Sequence, residues 1–246
     1  MRVTFLGTGS AIPTGERVQS GLRVEAGGAT LLVDCGSGVL DALVRAGTDP
    51  ADVDAVLLTH HHLDHVSDLL PLLKARWLAA NDTGTLPVAG PPGTIALVDG
   101  LLDVHDYLDG RVAVDPRDIA RDSVALAGLD VERYETEHSA SMQSFAYRLE
   151  SALTVSGDTL ADHALAAFAE GTTLVHDCAH PDGHETTGHP TPSELGAVLA
   201  DHEYRGVYLT HLYPDADAAG DALADAVREH YEDDVTIAED GLTVEV

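Results

Sequence analysis

Short apolar runs bounded by glycine and proline turns recur along the chain and alternate with stretches of helical spacing. RVTFLGT, LRVEA and TLLVDCG read as three strands, the last closed by a glycine turn, and DAVLLT as a fourth that is apolar on both faces. Residues 37–46 predict a helix between the third and fourth strands. Beyond them, DHVSDLLPLLKARWLAA carries Val66, Leu69, Leu70, Leu73 and Leu78 at helical spacing, with Pro71 near its start, where a missing N–H is tolerated. LPVAGPPG gives a strand and turn, and residues 94–107 another helix.

The second half repeats the design. VALAGLDVERYETEH and SFAYRLES predict paired strands, while LTVSGD, GTTLVHDCAH and RGVYLTHLYP are short strands that run out into Asp or His. TPSELGAVLADH is helical, with Thr191 as cap and Glu194 three positions on. One helix follows Pro214, and VTIAEDGLTVEV predicts a closing hairpin turned at Asp240–Gly241. No linker, repeat or low-complexity segment interrupts this order. The expectation is a single α/β (α+β) domain over residues 1–246, its two β-rich halves forming a helix–sheet–sheet–helix sandwich.

Composition adds limits. The chain is 44% hydrophobic over 246 residues, enough for a sizeable core. No run approaches the roughly 20 apolar residues that cross a bilayer. MRVTFLGTGSAIP lacks the apolar core of a signal peptide, so a cytoplasmic protein without membrane partners is expected. The two cysteines, Cys35 and Cys178, argue against a disulfide framework and read as small fillers at the ends of buried strands.

Charge changes the picture more. Forty-two Asp and Glu stand against 13 Lys and Arg, a formal −29, and Lys74 is the sole lysine. Such a field repels polyanions and works against the compact state at low ionic strength. Near 1 M salt the Debye length falls to about 3 Å, which relieves both effects. The acidic residues are spread along the chain, so a folded, solvated acidic surface of a halophilic protein is expected. Acidity alone therefore does not exclude nucleic acid.

The candidate chemistry lies in LLTHHHLDHV, residues 57–66, directly after an apolar strand. Imidazole and carboxylate are common metal ligands. His60 and His62 share a side in an extended segment, whereas Asp64 and His65 begin a helix and can turn to a second position, which points to two neighbouring metals. His61 alternates away from both. His138, Asp158 and His211 also follow short strands, and strand ends from distant parts of a sandwich can meet at one rim. Asp34 is open to two readings, the orientation of a ligand histidine or an ordinary turn aspartate. His176 and Asp177 end a strand near the rim; His180 and His184 sit in a loop with no metal expected. His105, His163, His202 and His230 lie in helical stretches.

H-x-H-x-D-H after an apolar strand resembles the signature of the metallo-β-lactamase superfamily of hydrolases. FLGTGSAIPTGERVQSG, LLVDCGSG, TEHSASMQSFAYRLE, TVSGDT, TLVHDCAH, GHPTPSELGAVLA and YLTHLYP then follow in the order found in the ribonuclease Z group, over nearly the whole chain. The resemblance implies an αββα fold, a homodimer and a dinuclear site of two Zn²⁺, with Mn²⁺ as an alternative ion. It makes His60, His62 and His138 ligands of one metal and Asp64, His65 and His211 of the other, with Asp158 bridging. It also gives Asp64 a part in handling the proton of the attacking water. GHPTPSE matches the segment whose histidine, here His189, lies near the scissile phosphate and can stabilise or protonate a leaving oxygen.

One departure bears on substrate. Ribonuclease Z proper carries a long insertion between the segments of His138 and Asp158, an arm that grips tRNA; here they are 20 residues apart. Without basic side chains to neutralise phosphates, long RNA loses its main source of affinity. The expectation is a phosphodiesterase for a small or nucleotide-type phosphodiester, with RNA not favoured as a partner. The alternatives are a tRNA 3′-processing endonuclease, a carboxylic, thio- or sulfate-ester hydrolase, and a metal-stabilised scaffold or sensor.

Overall fold

The computed structural model describes residues 1–79, 84–184 and 187–246. The first half contributes β1 (Arg2–Gly7), β2 (Gly21–Ala26), β3 (Ala29–Val33), β4 (Ala55–Leu57), β5 (Leu86–Gly90) and β6 (Val114–Asp118). Its helices are α1 (Val39–Arg45), α2 (Leu63–Val66), α3 (Leu69–Ala79) and α4 (Thr94–Val104). The second half adds β7 (Ser123–Leu126), β8 (Leu129–Thr136), β9 (Ser144–Leu149), β10 (Leu153–Val155), β11 (Thr173–Asp177) and β12 (Gly206–Thr210), then β13 (Val235–Ile237) and β14 (Thr243–Glu245). Its helices are α5 (His163–Ala169), α6 (Pro192–Leu199), α7 (Pro214–Ala219) and α8 (Asp221–Arg228).

Two seven-stranded sheets result, ordered β14-β1-β2-β3-β4-β5-β6 and β13-β12-β11-β10-β9-β8-β7. Each is part antiparallel and part parallel: β3 to β6 run parallel in one, β10 to β13 in the other. Alternation along the strands sorts the apolar residues into layers. Val3, Phe5, Leu31, Val33 and Leu57 face Phe145, Tyr147, Leu149 and Val155 between the sheets. Leu32, Val56, Leu58 and Val88 turn outward under the helices α1, α3 and α4. Leu174, Val207 and Leu209 do the same beneath α5, α6 and α8. This is the αββα sandwich. Full burial of a leucine or phenylalanine is worth about 1.5–3 kcal/mol, so the shared inter-sheet core holds the halves together.

Two hydrogen bonds lock the sheets where chemistry was expected. Tyr147 Oη donates to the Leu58 carbonyl at 2.9 Å and Phe145 N–H to the Thr59 carbonyl at 2.9 Å, so β9 fixes the backbone that leads into His60. Cys35 and Cys178 are wholly buried and unpaired as disulfides, packed among apolar side chains. Among the described residues no helix is long and apolar enough to cross a membrane.

Four expectations need correction. VTIAEDGLTVEV is no hairpin: β13 pairs β12 in one sheet and β14 pairs β1 in the other. Asp240 instead caps backbone from afar, accepting the N–H groups of Thr8 and Val18, and Gly241 N–H bonds to the Phe5 carbonyl. The strand β6, VDPRD, was missed because it has no alternation; as an edge strand it tolerates Pro116 and its charges. VALAGLDVERYET is two strands, β7 and β8, folded back at Ala127 and Gly128, both at positive φ. Two of the expected helices are likewise each divided in two. Asp68 separates α2 from α3, its side chain accepting the N–H groups of Gly38 and Leu40, and Gly220 separates α7 from α8.

Candidate metal centre

The ends of β3, β4, β8, β10, β11 and β12 open onto one rim of the sandwich. Asp34 follows β3, His60 follows β4, His138 follows β8, Asp158 follows β10, Asp177 ends β11 and His211 follows β12. His62 stands in extended conformation as the residue before α2, so Asp64 and His65 enter the rim from the first turn of that helix. Gly36 makes this possible: a Cβ there would lie 2.0 Å from the Asp64 carbonyl oxygen. Asp34 and His211 adopt positive φ, at 61° each, a strained conformation for non-glycine residues that the surrounding hydrogen bonds hold.

All seven residues expected as ligands come together. His62 Nδ1 lies 3.0 Å from His60 Nε2 and 3.0 Å from His138 Nε2. Asp158 Oδ2 is 3.6 Å from each of those two Nε2 atoms. On the other side, Asp64 Oδ2 is 3.7 Å from His65 Nε2 and 3.9 Å from His211 Nε2. Asp158 spans both groups, with Oδ1 3.3 Å from His65 Nε2 and Oδ2 3.2 Å from His211 Nε2.

The donor set fits divalent ions. Ligands about 2.0–2.1 Å from a tetrahedral ion stand roughly 3.3–3.4 Å from one another, close to these separations. His65 Nε2 is buried without a hydrogen-bond partner. Four of the outward ring nitrogens are taken by protein groups: His60 Nδ1 by Thr59 Oγ1 (3.1 Å), His65 Nδ1 by Asp34 (2.7 Å), His138 Nδ1 by the Gly188 carbonyl (2.9 Å) and His211 Nδ1 by Ser20 Oγ (2.9 Å). A carbonyl only accepts, so the proton of neutral His138 sits on Nδ1 and the Nε2 lone pair faces the cluster. Gly188, at φ 87°, is required there, since a Cβ would lie 2.5 Å from the His138 carbonyl oxygen.

Electrostatics follow from burial. Burial lowers the His60 and His62 values and takes His211 down to about 3, keeping these imidazoles neutral, as ligation requires. Burial opposes the charge of His65 too, but Asp158 and Asp34 outweigh it and raise this ring well above the usual range. Burial would raise Asp158, yet His211, His65 and His60 hold it well below the ordinary carboxylate range. Positive charge is therefore favoured at the heart of the cluster.

His189 joins the rim from the loop before α6. Its ring is 5.0 Å from that of His138 and stacks on His211 at 5.4 Å. Nδ1 lies 2.7 Å from Asp177 Oδ2, and His189, Asp158 and His211 offer ligating atoms within 4.8 Å of one another. Burial opposes charge on His189, but Asp177 raises it to about 9, while burial pushes Asp177 up to about 7. One proton lies between His189 Nδ1 and Asp177 Oδ2. We place it on His189, because Asp177 Oδ2 also accepts the Thr159 N–H at 3.2 Å and so behaves as a carboxylate.

Asp34 resolves to the orienting role. His61 turns away to Thr94, with Nε2 2.8 Å from Oγ1. The sequence reading missed Ser20, Thr59, Gly188 and the pairing of Asp177 with His189; only HDCAH, a strand ending in His-Asp, hinted at the last. It also missed Tyr213, whose ring lies 5.9 Å from His189 and 5.8 Å from His211. His180 and His184, expected to stand apart from any ligand set, meet on Asp215. Alongside the rim, residues 135–143 with Leu160 and Gly188 line a groove of about 640 Å³.

A family model described as Anti-Pycsar protein Apyc1 matches residues 1–84. The ribonuclease Z of Mycolicibacterium paratuberculosis is 36% identical over 242 residues, covering 87% of this chain and 86% of that protein. Among solved structures, the metallo-β-lactamase fold protein YhfI from Bacillus subtilis superposes with a TM-score of 0.85 at 25% identity, over 100% of this chain and 99% of that one. A diphosphatase from the PhnP family superposes at 0.76 with 19% identity, over 100% and 97%, a likeness of fold. Taken with the two-sheet sandwich and its histidine–aspartate rim, the identity along most of both chains shows that this protein belongs to the ribonuclease Z family of metal-dependent hydrolases with the metallo-β-lactamase fold.

Proposed function

We propose that the chain is a dinuclear zinc phosphodiesterase for small or nucleotide-type phosphodiesters, with Mn²⁺ as an alternative ion. His60, His62 and His138 would hold one ion and Asp64, His65 and His211 the other, with Asp158 shared between them. A divalent pair supplies Lewis acidity there, polarising a phosphoryl oxygen and lowering the pKa of water. The remaining work falls to the chain's own groups. Asp64 takes the proton of the attacking water. His189 donates from Nε2 to the leaving oxygen, while Asp177 holds Nδ1 and the tilt of the ring.

The substrate class rests on the surroundings of the cluster. Between His138 and Asp158 the chain has room only for β9, a turn and β10, with no arm. The adjoining groove has the size of a small-molecule site, has no lysine or arginine among its described lining residues, and carries Glu135 and Glu137. Long RNA would find no cations there to replace its counterions. The 36% identity to a ribonuclease Z favours a second reading, cleavage of tRNA precursors at the same centre.

Turnover of bis(p-nitrophenyl) phosphate at high salt with Zn²⁺ or Mn²⁺, beside an Asp158→Ala control, tests the proposal. Hydrolysis that disappears in the control supports it. No hydrolysis by a protein shown to carry its metals overturns it and moves the search to carbonyl and sulfate esters. Efficient cleavage of a tRNA precursor with poor turnover of small diesters favours the second reading.

A further inference from the structure

We propose that His180, His184 and Asp215 form a separate divalent-cation site for a borderline ion such as Zn²⁺, at the outer edge of the rim. The three come from two segments that extend neighbouring strands. His180 follows β11 and Asp215 lies at the start of α7 after β12; the Tyr213 N–H bonds to the Ala179 carbonyl at 3.1 Å and holds these extensions side by side. A turn closed from His184 N–H to the Pro181 carbonyl brings His184 back over His180. Asp182 pins the same turn to the start of α6 by accepting the N–H and hydroxyl of Ser193.

The donor atoms converge. His180 Nδ1 lies 3.0 Å and His184 Nδ1 3.2 Å from Asp215 Oδ2, close to the roughly 3.3 Å edge of a tetrahedral site with bonds of about 2.0–2.1 Å. Two imidazoles and one carboxylate are a donor set for borderline divalent ions. The rings stack at 4.0 Å and 3°, so His184 must rotate out of the stack to aim its lone pair at an ion held by His180 and Asp215. It has room to do so: its side chain is 47% exposed, against 13% for His180 and 38% for Asp215. The exposure leaves positions for water and makes this a weaker, faster-exchanging site than the buried cluster.

Its position gives it a use. The segment from His180 to His184 leads to Gly188 and His189, which hold His138 and face His211. The His180 ring also lies 4.5 Å from that of Tyr213 and 6.3 Å from that of His189, both of which neighbour His211. An ion here joins that loop to α7 and adds positive charge where no lysine or arginine stands among its three ligands.

Equilibrium dialysis of the full chain at buffered free Zn²⁺, with bound zinc counted per chain, tests the site without reference to any substrate. His184→Ala and Asp215→Asn, each checked for a folded circular dichroism spectrum, should each bind one ion fewer than the unaltered chain. Asp158→Ala should lose ions from the buried cluster while still binding the outer one, which a further His184→Ala change then removes. Equal zinc counts in the unaltered chain, His184→Ala and Asp215→Asn would overturn the proposal, whatever the chain's activity on phosphodiesters.

Discussion

Asp34 Oδ2 lies 2.7 Å from His65 Nδ1, and the same carboxylate accepts the backbone N–H and the hydroxyl of Thr59, each at 2.8 Å. One buried side chain thus fixes the ring of a candidate ligand and the backbone leading to another, His60. Asp34→Asn keeps the shape but replaces an acceptor with a donor toward His65. We expect zinc affinity to fall by about 10–100-fold, measured by competition with a chromophoric chelator. Unchanged affinity would show that His65 is oriented by other contacts.

His62 supplies the one nitrogen that lies 3.0 Å from both His60 and His138. His62→Ala should lower the number of ions bound per chain. Full occupancy in that variant, read by elemental analysis after dialysis, would refute the assignment of the first ligand group.

His189 is expected to move a proton rather than hold an ion. His189→Ala should retain the metals and lose roughly 10²–10⁴-fold in turnover. Since His189 shares a neighbourhood with Asp158 and His211, a fall in metal content would instead make it a ligand.

His176 is fully buried beside the Asp177 carbonyl, and burial takes it from 6.5 to about 4. Below about 6.5 the unfolded chain binds a proton that the folded chain refuses, so stability is lost as pH falls toward 4. A difference of about 2.5 at about 1.36 kcal/mol each amounts to about 3 kcal/mol at this one site. His176→Asn should flatten the dependence of urea stability on pH by about that amount between 6.5 and 4. An unaltered slope would mean that the ring is protonated in the folded state.

A formal charge of −29 predicts strong dependence on salt. Screening to about 1 M should stabilise the fold and raise Tm, by about 2–4 °C for each kcal/mol gained in a chain of this size. Thermal unfolding at low and high KCl measures it, and a flat Tm would remove the halophilic reading.

The sequence by itself determined which residues could ligate and which layers the strands would build. Apolar runs ending in His or Asp are local signals, and Leu31, Leu32 and Val33 already sort by alternation into opposite faces of one sheet. The resemblance carried by THHHLDH and its companions then implied all seven ligand positions, and folding gathers those side chains at one rim. Only the tertiary structure decided what holds those side chains in place. Ser20 reaches His211 across 191 positions and Gly188 reaches His138 across 50, and no local pattern encodes contacts at such separations. The same reason explains the failed hairpin. Asp240–Gly241 has the composition of a tight turn, but β1 and β12 each offered an unpaired edge, and the flanking strands bonded to opposite sheets. It also explains Asp34, which short-range chemistry left open between two roles until folding set His65 beside it.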